Sequence, residues 1–478
     1  MTSPLKNARV LVMGLGLLGG GAATVNWLID HGARITVTDL KDAEALAPSV
    51  RKVEEHLKKG ARDGRDYEQR TQRLTWALGG HTNALVDAAQ VLVVNPDVPM
   101  RSPYVQRALQ RGIPVHNEGT LFYELWKGKT VGITGTRGKT TTATWAKHFI
   151  PQSVLTGNST VKPFLAAADE RASVAVTELS SFILEYFPPF ERSPRIAVIT
   201  NLYRDHLNRH GTMQEYAAAK ANVFAHQSDR DTLILNADDP ATIHFLTRRP
   251  KAAMRFFSLS PLPAGRAGVW YQDGGVISRE GTREKRVLDI PDFIASWGEH
   301  NLANLLAAAS ASRAAGVPWA RIQGRIASLP AVPYRQETVF QGRKLRVIND
   351  TTATSPEGGI AAVRRWGGQN CILIAGGTDR ELDYREWANE VRTHILKTNL
   401  VLLDGSATRK MRRALGPWGR GIRSYASLDD AWQAAMKRAP SFVTAVITFS
   451  PAAKSFELFL NEYDRGQQFN ALVRRDLG

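Results

Sequence analysis

Two glycine-rich turns, each leading from an apolar strand-like run into a helix-like stretch, restrict this chain more than any other feature. The first is ARVLVMG, GLGLLGGGAATVNWLIDHG, ARITVTD, which reads as strand, turn into helix, strand: a βαβ unit. The second is KTVGITGTRGKTTTATWAKHF. Such turns aim backbone N–H groups and a helix N-terminus at phosphate oxygens, so the pair predicts two nucleotide sites in separate domains. Strand-like runs at Val91–Asn95 and Ile113–Asn117 continue the first doubly wound pattern and close it near residue 117. After Pro330, LRVIND, CILIAG, NLVLLD and AVITFS alternate with helix-like spans and predict another small doubly wound domain. A chain of 478 residues exceeds what one core fills. The expected architecture is α/β in three domains: residues 1–117, Rossmann-like; 118–331, a P-loop ATPase-type α/β domain; and 332–478, again Rossmann-like.

Composition narrows the classes of function. With 43% apolar and 22% charged residues the chain is that of a globular protein, and no apolar run approaches the roughly 18 residues of a membrane span. The N-terminal apolar stretch has glycines and a polar continuation that suit a first strand and turn better than a signal peptide, so a cytoplasmic protein with no membrane partner is expected. The single cysteine, Cys371, excludes an internal disulfide framework and a cysteine-based zinc site; within CILIAG it reads as a buried thiol. The net charge of +17 attracts polyanions without choosing among them. Its densest stretch, Arg51 to Arg73, has interspersed acids and no aromatic ladder for stacking bases. It reads as a solvated helix and loop, and no nucleic-acid partner is expected.

Gly14, Gly16 and Gly19 form GxGxxG, with Asp39 ending the next strand. Glycines there let a diphosphate approach backbone N–H groups, and the acid can hydrogen-bond a ribose or base. In the second turn, Gly135, Thr136, Arg137, Gly138, Lys139, Thr140 and Thr141 lack the full GxxxxGK[ST] spacing, because Ile133 stands where a glycine is needed. The lysine can still reach β and γ phosphates, and the following hydroxyl can ligate Mg²⁺. Glu178 and Asp205-His206 follow apolar strand-like runs, which places them at a ligand-binding sheet edge. Singly, each of these reads as a surface cap or a satisfied loop residue; as an ordered set they read as a site.

GTRGKTT, ELSSF at 178–182, NLYRDHLNRHG at 201–211, YAAAK ending at Lys220, NADD at 236–239, GEHNLAN at 298–304 and SPAAKSFELFLNEYDRGQQF at 450–469 together resemble the muramoyl ligase family, over nearly the whole chain. The closing motif is most similar to the branch that joins D-glutamate to UDP-N-acetylmuramoyl-L-alanine in peptidoglycan precursor synthesis. The resemblance implies an ADP-forming, ATP- and Mg²⁺-dependent amide ligase whose three domains hold the UDP substrate, ATP and the amino acid, the last closing over the centre. It implies Lys139, His206 and Lys220 as catalytic residues, with Lys220 carbamylated. Thr140, Glu178, His206 and Lys220 would hold metal. Asn301, Asn304, Arg335 and Asp350 would join the glycine loop around ATP. Gly14, Leu15, Gly16, Leu17, Asp39, Lys41, Asn158 and Ser181 would contact the UDP substrate; Thr354, Arg380, Ser455 and Tyr463 would contact the amino acid. A monomer is expected.

The chain departs from the family at several of these places. The usual DSKAT is Asp350-Thr-Thr-Ala-Thr354, so Thr352 replaces a lysine, and Arg380 stands for a second lysine. Both lie where the glutamate carboxylates would bind; arginine keeps a charge in bidentate form, while threonine removes one. ELSSFQ becomes ELSSFI at Ile183, and the loop asparagine becomes Arg137, which can bind phosphate or substrate instead. Rival readings are a sister ligase for L-glutamate or a diamino acid, a folate polyglutamate ligase, an NAD-dependent dehydrogenase built on Gly14 to Gly19, and an inactive regulatory relative. The dehydrogenase leaves Lys139, Lys220 and the C-terminal motif unexplained.

Overall fold

The computed structural model describes residues 5–17, 19–157 and 162–478. The chain divides into two compact units, Met1–Leu329 and Pro330–Gly478.

The first unit holds two sheets. Strands β1 (Arg9–Met13), β2 (Arg34–Asp39), β3 (Leu74–Leu78), β4 (Val91–Val94) and β5 (Val115–Asn117) form an all-parallel sheet of order β3-β2-β1-β4-β5. Parallel sheets are covered on both faces, which is why RVLVM and VLVV are near-continuously apolar. Val10, Val12, Ile35 and Val37 face one core with Val25 and Leu28, whereas Leu11, Met13, Leu92 and Val94 face the other with Val86 and Val105. Strand order reverses between β1 and β4, and ligands bind at such switch points.

The second sheet has nine strands. They are β6 (Lys129–Thr134), β7 (Ser153–Thr156), β8 (Val174–Glu178), β9 (Ile196–Ile199), β10 (Thr232–Asn236), β11 (Ala253–Ser258), β12 (Gly268–Gln272), β13 (Gly275–Glu280) and β14 (Arg283–Asp289), in the order β14-β13-β12-β11-β10-β9-β6-β8-β7. β7 to β12 pair in parallel, and β12-β13-β14 are antiparallel. The antiparallel arm turns on Asp273-Gly274, both with positive φ (47° and 72°), the backbone that joins twisted strands in a two-residue hairpin. β6 lies between β8 and β9, so its following loop is flanked by the ends of both. The helix Glu299–Ala314 packs on the helix Lys139–Phe149 and is buried along most of its length through LLAAASAS.

In the second unit, β15 (Glu337–Gln341), β16 (Leu345–Asn349), β17 (Cys371–Gly376), β18 (Leu400–Leu403), β19 (Ser424–Tyr425) and β20 (Ala445–Phe449) run β15-β16-β20-β17-β18-β19, parallel except for the β15-β16 pair. Cys371 is a free, buried thiol whose ionisation burial pushes up to about 12. The basic stretch from Arg51 to Arg73 forms parts of the helices Ala47–Gly60 and Gly64–Thr71, largely exposed, with Arg70 paired to Asp30 and Asp66. Among the described residues no helix is long and apolar enough to cross a membrane.

Candidate active site

The turn after β6 is shaped by glycines that nothing larger can replace. Gly135 has φ 146° and a Cβ there would stand 1.9 Å from Thr200 Oγ1; Gly138 has φ 79° and its Cβ would stand 2.1 Å from Asn304 Oδ1. The second contact brings the helix Glu299–Ala314 to the loop. Asn304 Nδ2 donates to Asn301 Oδ1 at 3.0 Å, and Asn301 Nδ2 to Trp297 O at 2.8 Å, so both asparagines expected near the nucleotide share one short relay beside Gly138.

Two amines converge on the same loop carbonyl. Lys139 Nζ donates to Gly135 O at 3.0 Å and Thr136 O at 3.1 Å, while Lys220 Nζ donates to Gly135 O at 2.8 Å. Lys220 is only 1% exposed. Burial holds its pKa well below that of an ordinary lysine; the nearby Lys139 and Arg137 push the same way, and Asp205 and Glu178 oppose them. Glu178, 2% exposed, ends β8 in register with Ile133 of β6. Its carboxylate is therefore held beside the loop by sheet pairing.

Arg137 anchors the loop to β9's end. Its N–H donates to Asn201 Oδ1 at 2.8 Å, its carbonyl accepts from Thr200 Oγ1 at 2.6 Å and Asn201 Nδ2 at 3.1 Å, and its guanidinium reaches Asp205 at 3.2 Å. Asp205 also lies 3.7 Å from His206 Nε2. His206 adopts the left-handed conformation, φ 55°, against the ring of Phe182. Thr136 Oγ1 meets Tyr216 OH at 3.2 Å, and Thr140 and Thr141 are buried at the helix start. Lys139 and Thr140 open the helix after β6, Glu178 ends β8 and His206 follows β9, so these residues gather at one sheet edge, where Lys220 reaches the loop from the helix Met213–Ala221.

In the first sheet, Asp39 turns inward on its own loop. Its Oδ2 accepts from Leu15 N–H at 2.8 Å and Gly16 N–H at 3.1 Å, and its Oδ1 from Lys41 N–H at 3.0 Å. Asp39 therefore organises the glycine turn, a role distinct from the ribose contact its spacing suggests. Leu15 is buried, whereas Leu17 and Lys41 are exposed. Gly14 lies against Asn95 at the switch point, where a Cβ would come within 2.8 Å of the asparagine Cβ. Ser181 Oγ is 2.9 Å from His210 Nε2, and Asn158 lies outside the described residues. Arg209 joins this sheet to the next: it donates to Asp97 O at 2.6 Å and Val98 O at 2.9 Å and pairs with Glu185 at 2.8 Å. Ile183 fills apolar space against Gly119, and its carbonyl accepts from Asn117 Nδ2 at 2.9 Å.

In the second unit, Asp350 follows β16 and accepts from Ser450 Oγ at 2.7 Å and Gln336 N–H at 3.1 Å. Burial raises its pKa to about 7 against those hydrogen bonds and against Arg335 and Arg365. Arg335 donates to Thr352 Oγ1 at 3.1 Å. Thr354 and Ser455 are buried, Arg380 lies over the Phe456 ring at 5.1 Å, and Tyr463 packs near Tyr334.

Residues 133–312 match the Mur ligase middle domain, and residues 8–117 match the Mur ligase MurD-like, N-terminal domain. A UDP-N-acetylmuramoylalanine--D-glutamate ligase from Roseiflexus sp. is 34% identical over 98% of this chain and 99% of its own length. The chain belongs to the Mur ligase family. A ligase of the same name from Acidobacterium capsulatum is 33% identical over 98% of this chain and 96% of its own. Among solved structures, the UDP-N-acetylmuramate-alanine ligase of Thermotoga maritima shares the fold at TM-score 0.58 and 16% identity, over 98% of this chain and 99% of that one. The three-domain α/β fold read from the strand pattern is the Mur ligase fold.

Several residues around the candidate site of this Mur ligase were not singled out in the sequence, although some lie within the motifs quoted. Asn201, Thr200 and Tyr216 brace the glycine loop, and Glu118 lines a small cleft with Gly14, Gly20 and Asn95. Arg465 is the clearest such case. The RG pair in the closing motif was visible, but not that its guanidinium is fully buried and bonds two loops at once.

Proposed function

We propose that this chain joins D-glutamate to UDP-N-acetylmuramoyl-L-alanine, cleaving ATP to ADP and phosphate. The observation that carries the reading is the convergence of Lys139 and Lys220 on the Gly135 carbonyl, beside the buried Glu178. A phosphate-binding turn with an ordinary lysine would serve many nucleotide enzymes. A second, wholly buried lysine at the same point is more specific, because its burial favours the neutral amine from which a carbamate is made. The full-length relatives bearing the D-glutamate ligase name select this acceptor and amine.

The substrate carboxylate attacks the γ phosphorus of ATP as the bond to the β-phosphate oxygen breaks, giving an acyl phosphate and ADP. Two anions must meet for this, and Lys139 with the loop N–H groups lowers the repulsion. The D-glutamate amine then attacks the acyl carbon, loses a proton, and phosphate leaves with the C–O bond. Among the described residues no three His, Cys, Asp or Glu converge as a ready cage; Mg²⁺ in phosphoryl-transfer sites needs only one or two carboxylates beside the phosphates. Thr140, Glu178, His206 and a carbamylated Lys220 supply hydroxyl, carboxylate and imidazole donors that suit it, and the ion would add positive charge against the phosphates. Carbamylation requires a neutral amine to attack carbon dioxide, and burial of Lys220 favours that form.

Phosphate release with UDP-N-acetylmuramoyl-L-alanine, ATP and Mg²⁺ tests the reading, with D-glutamate, L-glutamate, meso-diaminopimelate and lysine as competing amines. Turnover with D-glutamate alone is expected. Preference for another amine would keep the ligase chemistry and reject this specificity.

A further inference from the structure

The second unit has a cationic group placed where the amino acid is proposed to bind, and it is not one of the two positions at which a family lysine was expected. Thr352 carries no charge, and its hydroxyl is spent locally: Oγ1 donates to Tyr334 O at 2.7 Å and accepts from Arg335 Nη1 at 3.1 Å. Arg380 lies over the Phe456 ring. Between the ends of β16, β17 and β20 stands Lys454. Its Nζ donates to Thr354 Oγ1 at 3.3 Å, and the residue keeps partial exposure.

Further observations make this a built position. The Lys454 backbone is held on both sides, its N–H donating to Thr378 O at 3.1 Å and its carbonyl accepting from Thr378 N–H at 2.8 Å. The carbonyl also accepts from Arg465 Nη1 at 3.1 Å. Gly377, φ 137°, allows this close approach, since a Cβ there would stand 2.5 Å from Lys454 O. Beside Lys454, Ser455 Oγ is buried without a hydrogen-bond partner, as is Ser355 Oγ next to Thr354. Buried hydroxyls without partners leave donors waiting for an acceptor. A cation with adjacent hydroxyl donors is the complement of a carboxylate.

We infer that Lys454 is a specificity-determining residue that binds one carboxylate of the incoming dicarboxylic amino acid, supplying from the loop after β20 the charge that Thr352 does not. This rests on the proposed ligase activity and deepens it. The amine, the acyl phosphate and ATP are untouched by the assignment, so Lys454 acts on the amino-acid KM and on the choice between charged and neutral analogues.

The experiment uses the full chain and compares parent, Lys454→Met and Lys454→Arg by ADP formation. D-Glutamate, D-glutamine and D-isoglutamine serve as amines, the last two each with one carboxylate made an amide. Losing one charge-assisted contact is expected to raise the D-glutamate KM about 10- to 100-fold, with the KM values for ATP and the UDP substrate unchanged. The preference for D-glutamate over one of the two amides should shrink by a similar factor, and Lys454→Arg should recover much of it. An unchanged D-glutamate KM and unchanged preference over both amides would overturn the inference while leaving the ligase reading intact. Absence of D-glutamate-dependent turnover in the parent would instead overturn the ligase reading. If Lys454→Met loses its fold, unaltered amide discrimination in a folded Lys454→Gln variant would count equally against the role.

Discussion

Replacing Arg465 by methionine tests how the second unit holds its binding loops. The side chain is fully buried and makes five hydrogen bonds: to Thr351 Oγ1 at 3.0 Å, Thr351 O at 2.7 Å, Ala453 O at 3.1 Å twice, and Lys454 O at 3.1 Å. Lys454 O keeps a second donor in the Thr378 N–H. Thr351 O and Ala453 O draw these bonds from Arg465, and each buried carbonyl left without one costs about 1–3 kcal/mol. Against that, methionine removes a guanidinium whose desolvation is severe enough to lower its pKa to about 9, and fills similar apolar volume. The two effects leave a net loss of about 3 kcal/mol, a large share of the roughly 5–15 kcal/mol that keeps a domain folded. Because a chain with several domains need not unfold in one step, the assay is amide hydrogen exchange of 345–349 and 445–449, the strands whose ends carry the two loops. Their opening should become about a hundredfold easier. Lysine at 465 retains charge without the forked reach and should fall between. A change in the methionine variant below about 1 kcal/mol would refute the claim that these carbonyls depend on Arg465.

Two other perturbations probe the first unit. Lys220→Ala should abolish ADP formation and regain part of it with added small carboxylates that stand in for a carbamate; full activity without them would remove Lys220 from the chemistry. Glu118 has its pKa raised from 4.5 to about 7 by burial, so the folded form keeps its proton where the unfolded chain has lost it. Stability from this group is present below pH 4.5 and is lost as pH rises toward 7. Glu118→Gln should therefore match the parent in stability at pH 4 and exceed it at pH 8 by about 1–2 kcal/mol, allowing for the residue's remaining solvent exposure. An equal difference at both pH values would contradict the assignment.

Much of this protein was legible in one dimension because its signals are local. A glycine turn between an apolar strand and a helix is defined by neighbouring backbone angles, and Gly14, Gly135 and Gly138 were identifiable on that ground. So was the sheet-edge position of Glu178 and His206, since a strand's end fixes which edge its next residues occupy. The antiparallel arm from Gly268 to Asp289 was not foreseen, although QDGG carries a hairpin signal; the pattern of alternating strands and helices drew attention to parallel pairing instead. Leu74–Leu78 was missed because LTWAL is only partly buried at a sheet edge, where apolar patterning weakens.

Tertiary structure decided what depends on residues far apart. Asp39 has the spacing of a ribose-binding acid, yet its oxygens take N–H groups of the turn more than twenty residues earlier. Lys220 was singled out by the family resemblance and by nothing in its own helix, and the fold buries it against a carbonyl 85 positions away. Lys454 and Thr354, 100 positions apart, meet only because β16 and β20 pair in parallel and bring their C-terminal ends to one edge. Backbone chemistry is written residue by residue, but burial, desolvation and side-chain partnership arise when distant segments exclude water from the same place, and those are what set a lysine's charge or a carboxylate's partner.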